Sequence, residues 1–279
     1  TMSAQHKVFK DYRVFEYTYA GRPLKIEVGK MAGLANGACM VRYGDTCILA
    51  TATASAAPRE GIDFLPLSVD YNEKMYAVGK IPGGYLKREG KPSEKAILTS
   101  RVIDRPVRPL FPKDLRNDVA LVLDVMSVDQ DCSPEITAMI GASVALSISD
   151  IPWNGPIGGA FIGMVDGEYV VNPTAAQRAV STLELTVAAS EKKVVMIEAG
   201  AKEVTDDEMF DAIMLAHKEI KDLLVFVNGI IKEVGKPKFS YASGELDHDM
   251  FDEIFAYCET RVMEALDTDD KNVRDARLQ

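Results

Sequence analysis

Histidine, cysteine and tryptophan are scarce in this chain: its 279 residues hold three, four and one of them. That scarcity removes whole classes of chemistry. His6, His217 and His248 have no serine or cysteine partner in a hydrolase-like context, and His217, set in an apolar helical pattern, reads as a satisfied structural histidine. Cys39, Cys47, Cys132 and Cys258 show neither metal-ligand spacing nor a disulfide-rich pattern, so they read as core thiols suited to a reducing cytoplasm. No apolar run reaches about 18 residues and no charged-then-apolar leader opens the chain, which leaves a membrane or secreted location without support. The glycine-rich stretch Gly79–Gly84 lacks the Gly-Lys-Ser/Thr ending of a phosphate loop, which argues against nucleoside triphosphate binding by that route. Net positive charge is missing as well. A formal charge of -10 argues against broad nonspecific nucleic-acid binding, which needs a basic face to displace counterions.

What the chain does have is one cationic window. Lys80 to Arg116 holds ten Lys and Arg against four acids, a local balance of +6 that leaves -16 for the remainder. Guanidinium groups gathered in an otherwise acidic chain suit a phosphate-bearing partner, because the Arg fork matches phosphate with two parallel hydrogen bonds. The alternative is a solvated charged helix face. With 47% apolar residues the chain can bury a full core, as one large domain or as a domain plus an appendage.

The first third reads as hairpins. Tyr12–Tyr19 and Leu24–Val28 alternate around Ala20-Gly21, and Ala38–Tyr43 and Cys47–Thr53 flank Gly44-Asp45. A further strand is expected over Asp63–Asp70. From Ser93, a cap, the pattern turns helical, with Ile97, Leu98 and Val102 as its apolar stripe and Pro106 as its end. Arg101 and Arg105 are four apart on one face of that helix, with no acid at the intervening spacing, and Arg108 follows the break. Val119–Val128 reads as a buried strand. Ser133-Pro134 opens a second helix, buried through Ile136, Met139, Ile140, Ser143, Val144 and Ile148.

Strands over Ile157–Val165, Tyr169–Val171, Leu183–Ala189 and Val194–Glu198 lead to a capping box at Thr205 and a helix with Ile213, Ile220 and Leu223 inward. The layering is α+β. Asp124, Asp129 and Asp131 read as turn and helix-start acids rather than metal ligands, and Ser133 alone makes a poor phosphate cradle. Gly235-Lys236-Pro237 marks a boundary between residues 1–236 and 237–279. From Ser240 onward eleven acids face four bases, Met250, Ile254 and Phe255 have helical spacing, and the chain reads as stopping within a separate helical segment.

The stretches DFLPLSVDYNEKMYAVGKIPGG, Gly84–Pro112 and Cys132–Ala160 together resemble the first core of bacterial polynucleotide phosphorylases, and the resemblance runs through the helical tail. It implies an RNase PH-like α+β core of mixed sheets packed with helices, akin to ribosomal protein S5 domain 2, followed by the start of an all-helical linker. It also implies a longer protein with a second core and RNA-binding modules, assembled as a homotrimeric ring that can join an RNA-degradation assembly. The implied reaction is phosphorolysis of single-stranded RNA from its 3' end with inorganic phosphate, giving nucleoside diphosphates, reversible and dependent on magnesium. Tyr85, Leu86, Lys87 and Arg88 stand where the family places two aromatics and two arginines along the RNA channel; here Leu86 replaces a ring and Lys87 an arginine. Arg101, Arg105 and Arg108 match family arginines facing the cleft, which implies that they bind RNA phosphate; the alternative is that they tie the helix to nearby carboxylates.

In the family's second core a serine run holds phosphate, and an aspartate pair followed by a lysine holds metal. Cys132-Ser133-Pro134-Glu135 replaces that run here, Arg178 stands where the first aspartate would fall, and Glu184 is the one acid on the analogous strand. The resemblance therefore implies no catalytic residue and no metal ligand within this chain, which supplies scaffold and RNA-guiding cations. A noncatalytic RNA-binding or assembly subunit of an exosome-like ring is the alternative reading. A self-sufficient RNase PH-like enzyme would need the serine run and aspartate pair within the chain.

Overall fold

The computed structural model describes residues 9–85, 87–241, 243 and 247–278. Two compact units divide the chain, Thr1–Tyr241 and Ala242–Gln279. The first unit opens with a hairpin, β1 (Arg13–Tyr19) and β2 (Arg22–Val28), turned by Ala20 and Gly21 at φ 47° and 76°. A second hairpin follows, β3 (Gly37–Tyr43) and β4 (Thr46–Pro58). Next come β5 (Leu67–Glu73), α1 (Glu94–Val107) and β6 (Asn117–Ser127). β5 starts four residues later than the alternation of 63–70 suggests, directly after Pro66, whose carbonyl accepts from the Val119 N–H at 2.9 Å. These six strands form one sheet in the order β1-β2-β3-β4-β6-β5, antiparallel except for the β5–β6 pair that α1 bridges.

α2 (Pro134–Ile148) then crosses to a second, antiparallel sheet, β10-β9-β7-β8. Its strands are β7 (Gly158–Val165), β8 (Glu168–Val171), β9 (Leu183–Ala189) and β10 (Val194–Ala201). The short α3 (Ala175–Val180) lies between β8 and β9, and α4 (Asp206–Val234) packs on this sheet. α3 has no long apolar period, only a Thr174–Gln177 capping box.

The core sits on both sides of α2. Where the sequence suggests one buried face, fourteen of its fifteen residues are buried, so the helix is enclosed all round. Small residues allow the approach: a Cβ on Gly37 would lie 2.1 Å from the Ala145 carbonyl oxygen. The two sheets are also tied by a buried polar chain. Tyr19 Oη donates to the Gly159 carbonyl at 2.8 Å, Tyr43 Oη to the Tyr19 carbonyl at 3.1 Å, and Asn172 Nδ2 to Tyr43 Oη at 3.2 Å.

Residues past Gly235 do not leave the first unit at once. Lys236 and Phe239 N–H groups donate to the Ile148 and Asp150 carbonyls at 3.0 and 2.8 Å, and Lys238 Nζ donates to the carbonyls of Leu146, Ser147 and Ser149. Lys238 thus satisfies carbonyls that the end of α2 leaves open. Cys39, Cys47 and Cys132 are buried free thiols, as expected, whereas Cys258 is only half-buried. His217 is buried with Nε2 3.1 Å from the Ser190 carbonyl. The second unit comprises α5 (His248–Leu266) and α6 (Lys271–Leu278). Asp247 caps α5 by accepting from the Asp249 and Met250 N–H groups.

Candidate nucleic-acid interface

The cationic window folds into an exposed loop and α1. Ser93 caps α1 by accepting from the Ala96 N–H at 3.1 Å, as expected. The buried stripe is not the expected one. Ala96, Thr99, Ile103 and Val107 face inward, while Ile97 and Leu98 are exposed and Val102 is half-buried; the inward positions include small residues that hydrophobicity alone passes over. Pro106 lies inside the last turn, where helix continues one residue further before a 3-10 turn over Arg108–Leu110.

Tyr85 is 100% exposed, and Lys87 and Arg88 are exposed beside it; Leu86 lies outside the described residues. Lys87 adopts a left-handed φ of 44° and its N–H closes a turn onto the Gly84 carbonyl at 2.9 Å. Arg101 is exposed and makes no hydrogen bond or ion pair among the described residues. Arg105 NH1 lies 3.3 Å from Glu198 of β10, so the second sheet supplies the acid that α1's own spacing lacks. Arg108 is engaged more fully. Its Nε and NH2 hold both Asp104 oxygens at 3.0 and 2.7 Å, and NH1 and NH2 donate to the Leu65 and Leu67 carbonyls at 3.3 and 3.1 Å.

α1 separates two hollows. The smaller, about 310 Å³, lies under the loop and is lined by Lys74, Met75, Gly84, Arg88, Glu89 and Ser93 among others. The larger cleft, about 770 Å³, lies between α1, the start of α2 and the second sheet. Glu184 lines it, as does Arg178, whose guanidinium donates to the Pro173 and Gln130 carbonyls at 3.0 and 2.5 Å. Glu184 is not alone: Glu73, Asp129, Glu135 and Glu198 line the same cleft, brought from four other segments with no common sequence signal. Among the described residues no group of three His, Cys, Asp or Glu could hold a metal ion. Asp124 instead accepts from Asn72 Nδ2 at 2.8 Å, Asp129 from the Asp131 N–H at 2.9 Å, and Asp131 from the Ala175 N–H at 2.8 Å.

The positive end of α2 opens on this cleft and is already filled. Ser133 Oγ donates to Glu135 Oε2 at 2.6 Å, and Lys95 Nζ of α1 lies 3.0 Å from Oε1. Burial alone pushes the Glu135 carboxyl up, but the Ser133 hydroxyl, the Lys95 charge and its own backbone N–H hold it below the usual range. Burial lowers Lys95 in turn, and Glu135 more than offsets this and raises it.

Comparison with known proteins matches residues 20–152 to the 3' exoribonuclease family, domain 1, and residues 155–219 to its domain 2. The chain belongs to the 3' exoribonuclease family. The first match takes in β2 to β6 with α1 and α2, and the second takes in the second sheet with the first half of α4. A polyribonucleotide nucleotidyltransferase of Ruminiclostridium cellulolyticum is 62% identical over 269 residues, 96% of this chain and 38% of that protein. One of the same name from Clostridioides difficile is 58% identical over 238 residues, 84% of this chain and 34% of the relative. The chain thus spans well under half the length of these relatives. The crystal structure of rice Rrp46 matches with a TM-score of 0.59 at 14% identity, over 80% of this chain and 95% of that one, a likeness of fold.

Proposed function

We propose that this chain is the first core of a polyribonucleotide nucleotidyltransferase, an enzyme that shortens single-stranded RNA from its 3' end by phosphorolysis, releases nucleoside diphosphates and can run in reverse. Within it, the helical linker placed at 237–279 from the sequence begins only after the stretch through Tyr241 that stays on the first unit, with the second unit Ala242–Gln279. The observation that carries the reading is the exposed set of Tyr85, Lys87, Arg88 and Arg101, whose three cationic side chains have no hydrogen-bond or ion-pair partner among the described residues. Such a set suits a single strand, whose phosphates pair with the cations while a base stacks on the ring. Arg105 shares its charge with Glu198. Arg108, with four internal hydrogen bonds, anchors α1 and adds to the local field.

Phosphorolysis requires inorganic phosphate to attack the terminal phosphodiester, with negative charge building on the transferring oxygens. Two observations favour placing magnesium outside this chain: Glu135 is held by Ser133 and Lys95, and among the described residues no three His, Cys, Asp or Glu gather as a metal cluster. The reading assigns magnesium and the phosphate-holding serines to a second core and leaves this chain to hold and direct the strand. It also places the parent protein in the cytoplasm, as a homotrimeric ring able to join an RNA-degradation assembly. Incubating this chain with labelled oligoadenylate, phosphate and magnesium is expected to give binding without ADP. Release of ADP would contradict the division of labour.

A further inference from the structure

Residues 81–92 carry Tyr85, Lys87 and Arg88, yet among the described residues one side chain alone ties this stretch to the rest of the unit by hydrogen bond or ion pair. Glu89 Oε1 accepts from the Met75 N–H at 2.5 Å, and Oε2 lies 3.6 Å from Lys74 Nζ. The other hydrogen bond in the stretch, Lys87 to Gly84, is internal to it. Tyr85 is fully exposed, and Lys87 and Arg88 are exposed as well, so their directions follow from the backbone. That backbone is fixed at one end by α1 and in its middle by Glu89. The receiving end is itself rigid: the turn over Met75–Val78 closes through Gly79 and through the Lys80 N–H, which donates to the Met75 carbonyl at 2.9 Å.

We propose that Glu89 is the positioning residue of the RNA-guiding loop, a clasp that holds Arg88 and Tyr85 in register with a strand that Glu89 itself does not touch. The inference rests on the RNA reading above. A loop released from its tie must be ordered again at each binding event, which costs affinity. Plain electrostatics predicts the opposite sign, since removing an acid from a cationic loop favours a polyanion. The two accounts can therefore be separated by the direction of one change.

Oligoadenylate affinity is measured by fluorescence anisotropy at low ionic strength for the chain and for Glu89→Ala and Glu89→Gln. Glutamine keeps an oxygen for the Met75 N–H and loses only the charge. The expected result is about three- to tenfold weaker binding for Glu89→Ala and binding equal to or tighter than the parent for Glu89→Gln. Glu89→Ala should also be cut faster by trypsin after Lys87 and Arg88 with an unchanged melting temperature. In an Arg88→Ala background its effect on affinity should shrink, because the clasp acts through that arginine. Glu89→Ala binding as tightly as the parent, or Glu89→Gln losing as much as Glu89→Ala, would overturn the clasp. A parent chain that binds no oligoadenylate would overturn the RNA reading first, which is a distinguishable result.

Discussion

The enclosed helix α2 and the stretch 81–92 treat polar groups in opposite ways. α2 is surrounded by two sheets and has each end met by the chain's own charge, Glu135 at the positive end and Lys238 at the carbonyl end. The loop leaves Lys87 and Arg88 in solvent, and among the described residues Glu89 is the one side chain that ties it to the body of the unit. Groups satisfied from within belong to the scaffold; groups left open are available to a partner. The same distinction divides the arginines of α1 and of the turn that follows it, where Arg108 is occupied by Asp104 and two carbonyls while Arg101 has no hydrogen bond or ion pair among the described residues.

Changes around α2 should act on stability. Gly37→Ala drives a Cβ to 2.1 Å from the Ala145 carbonyl oxygen and is expected to cost about 3 kcal/mol in urea unfolding. Lys238→Met removes three hydrogen bonds from partly buried carbonyls and should cost about 2 kcal/mol. Glu135→Gln should cost about 1 kcal/mol near neutral pH, its partner Lys95 being largely exposed. That difference has a defined pH dependence. Because the folded Glu135 carboxyl titrates below its ordinary 4.5, its contribution is complete above that value and is lost as pH falls through the folded one. Unfolding of parent and variant compared at neutral and acid pH checks this.

Changes in the open region should act on RNA instead. Arg101→Ala and Arg88→Ala are expected to alter stability by less than about 0.5 kcal/mol while weakening oligoadenylate binding several-fold. A loss of folding stability in either variant would erase the contrast between the two regions.

Much of the scaffold was legible because its signals are local. Ala20-Gly21 and Gly44-Asp45 turn hairpins, Ser93 and Ser133 cap helices, and Thr205 with Glu208 forms a capping box. What escaped depends on distant partners. The full enclosure of α2 required both sheets, the inward face of α1 was chosen by Ala96 and Thr99, and β5 was displaced by its parallel pairing with β6. The cationic residues could be named from the chain. Their states could not, since Glu198 lies 93 residues from Arg105 and Glu135 lies 40 from Lys95.

The most direct measurement is the salt dependence of oligoadenylate affinity for the chain and for the combined Lys87→Ala, Arg88→Ala, Arg101→Ala variant. If these cations grip phosphates, the slope of log affinity against log salt should fall by about 0.7 for each cation replaced, or about 2 in all. A variant that keeps the parent's slope and affinity would contradict the account.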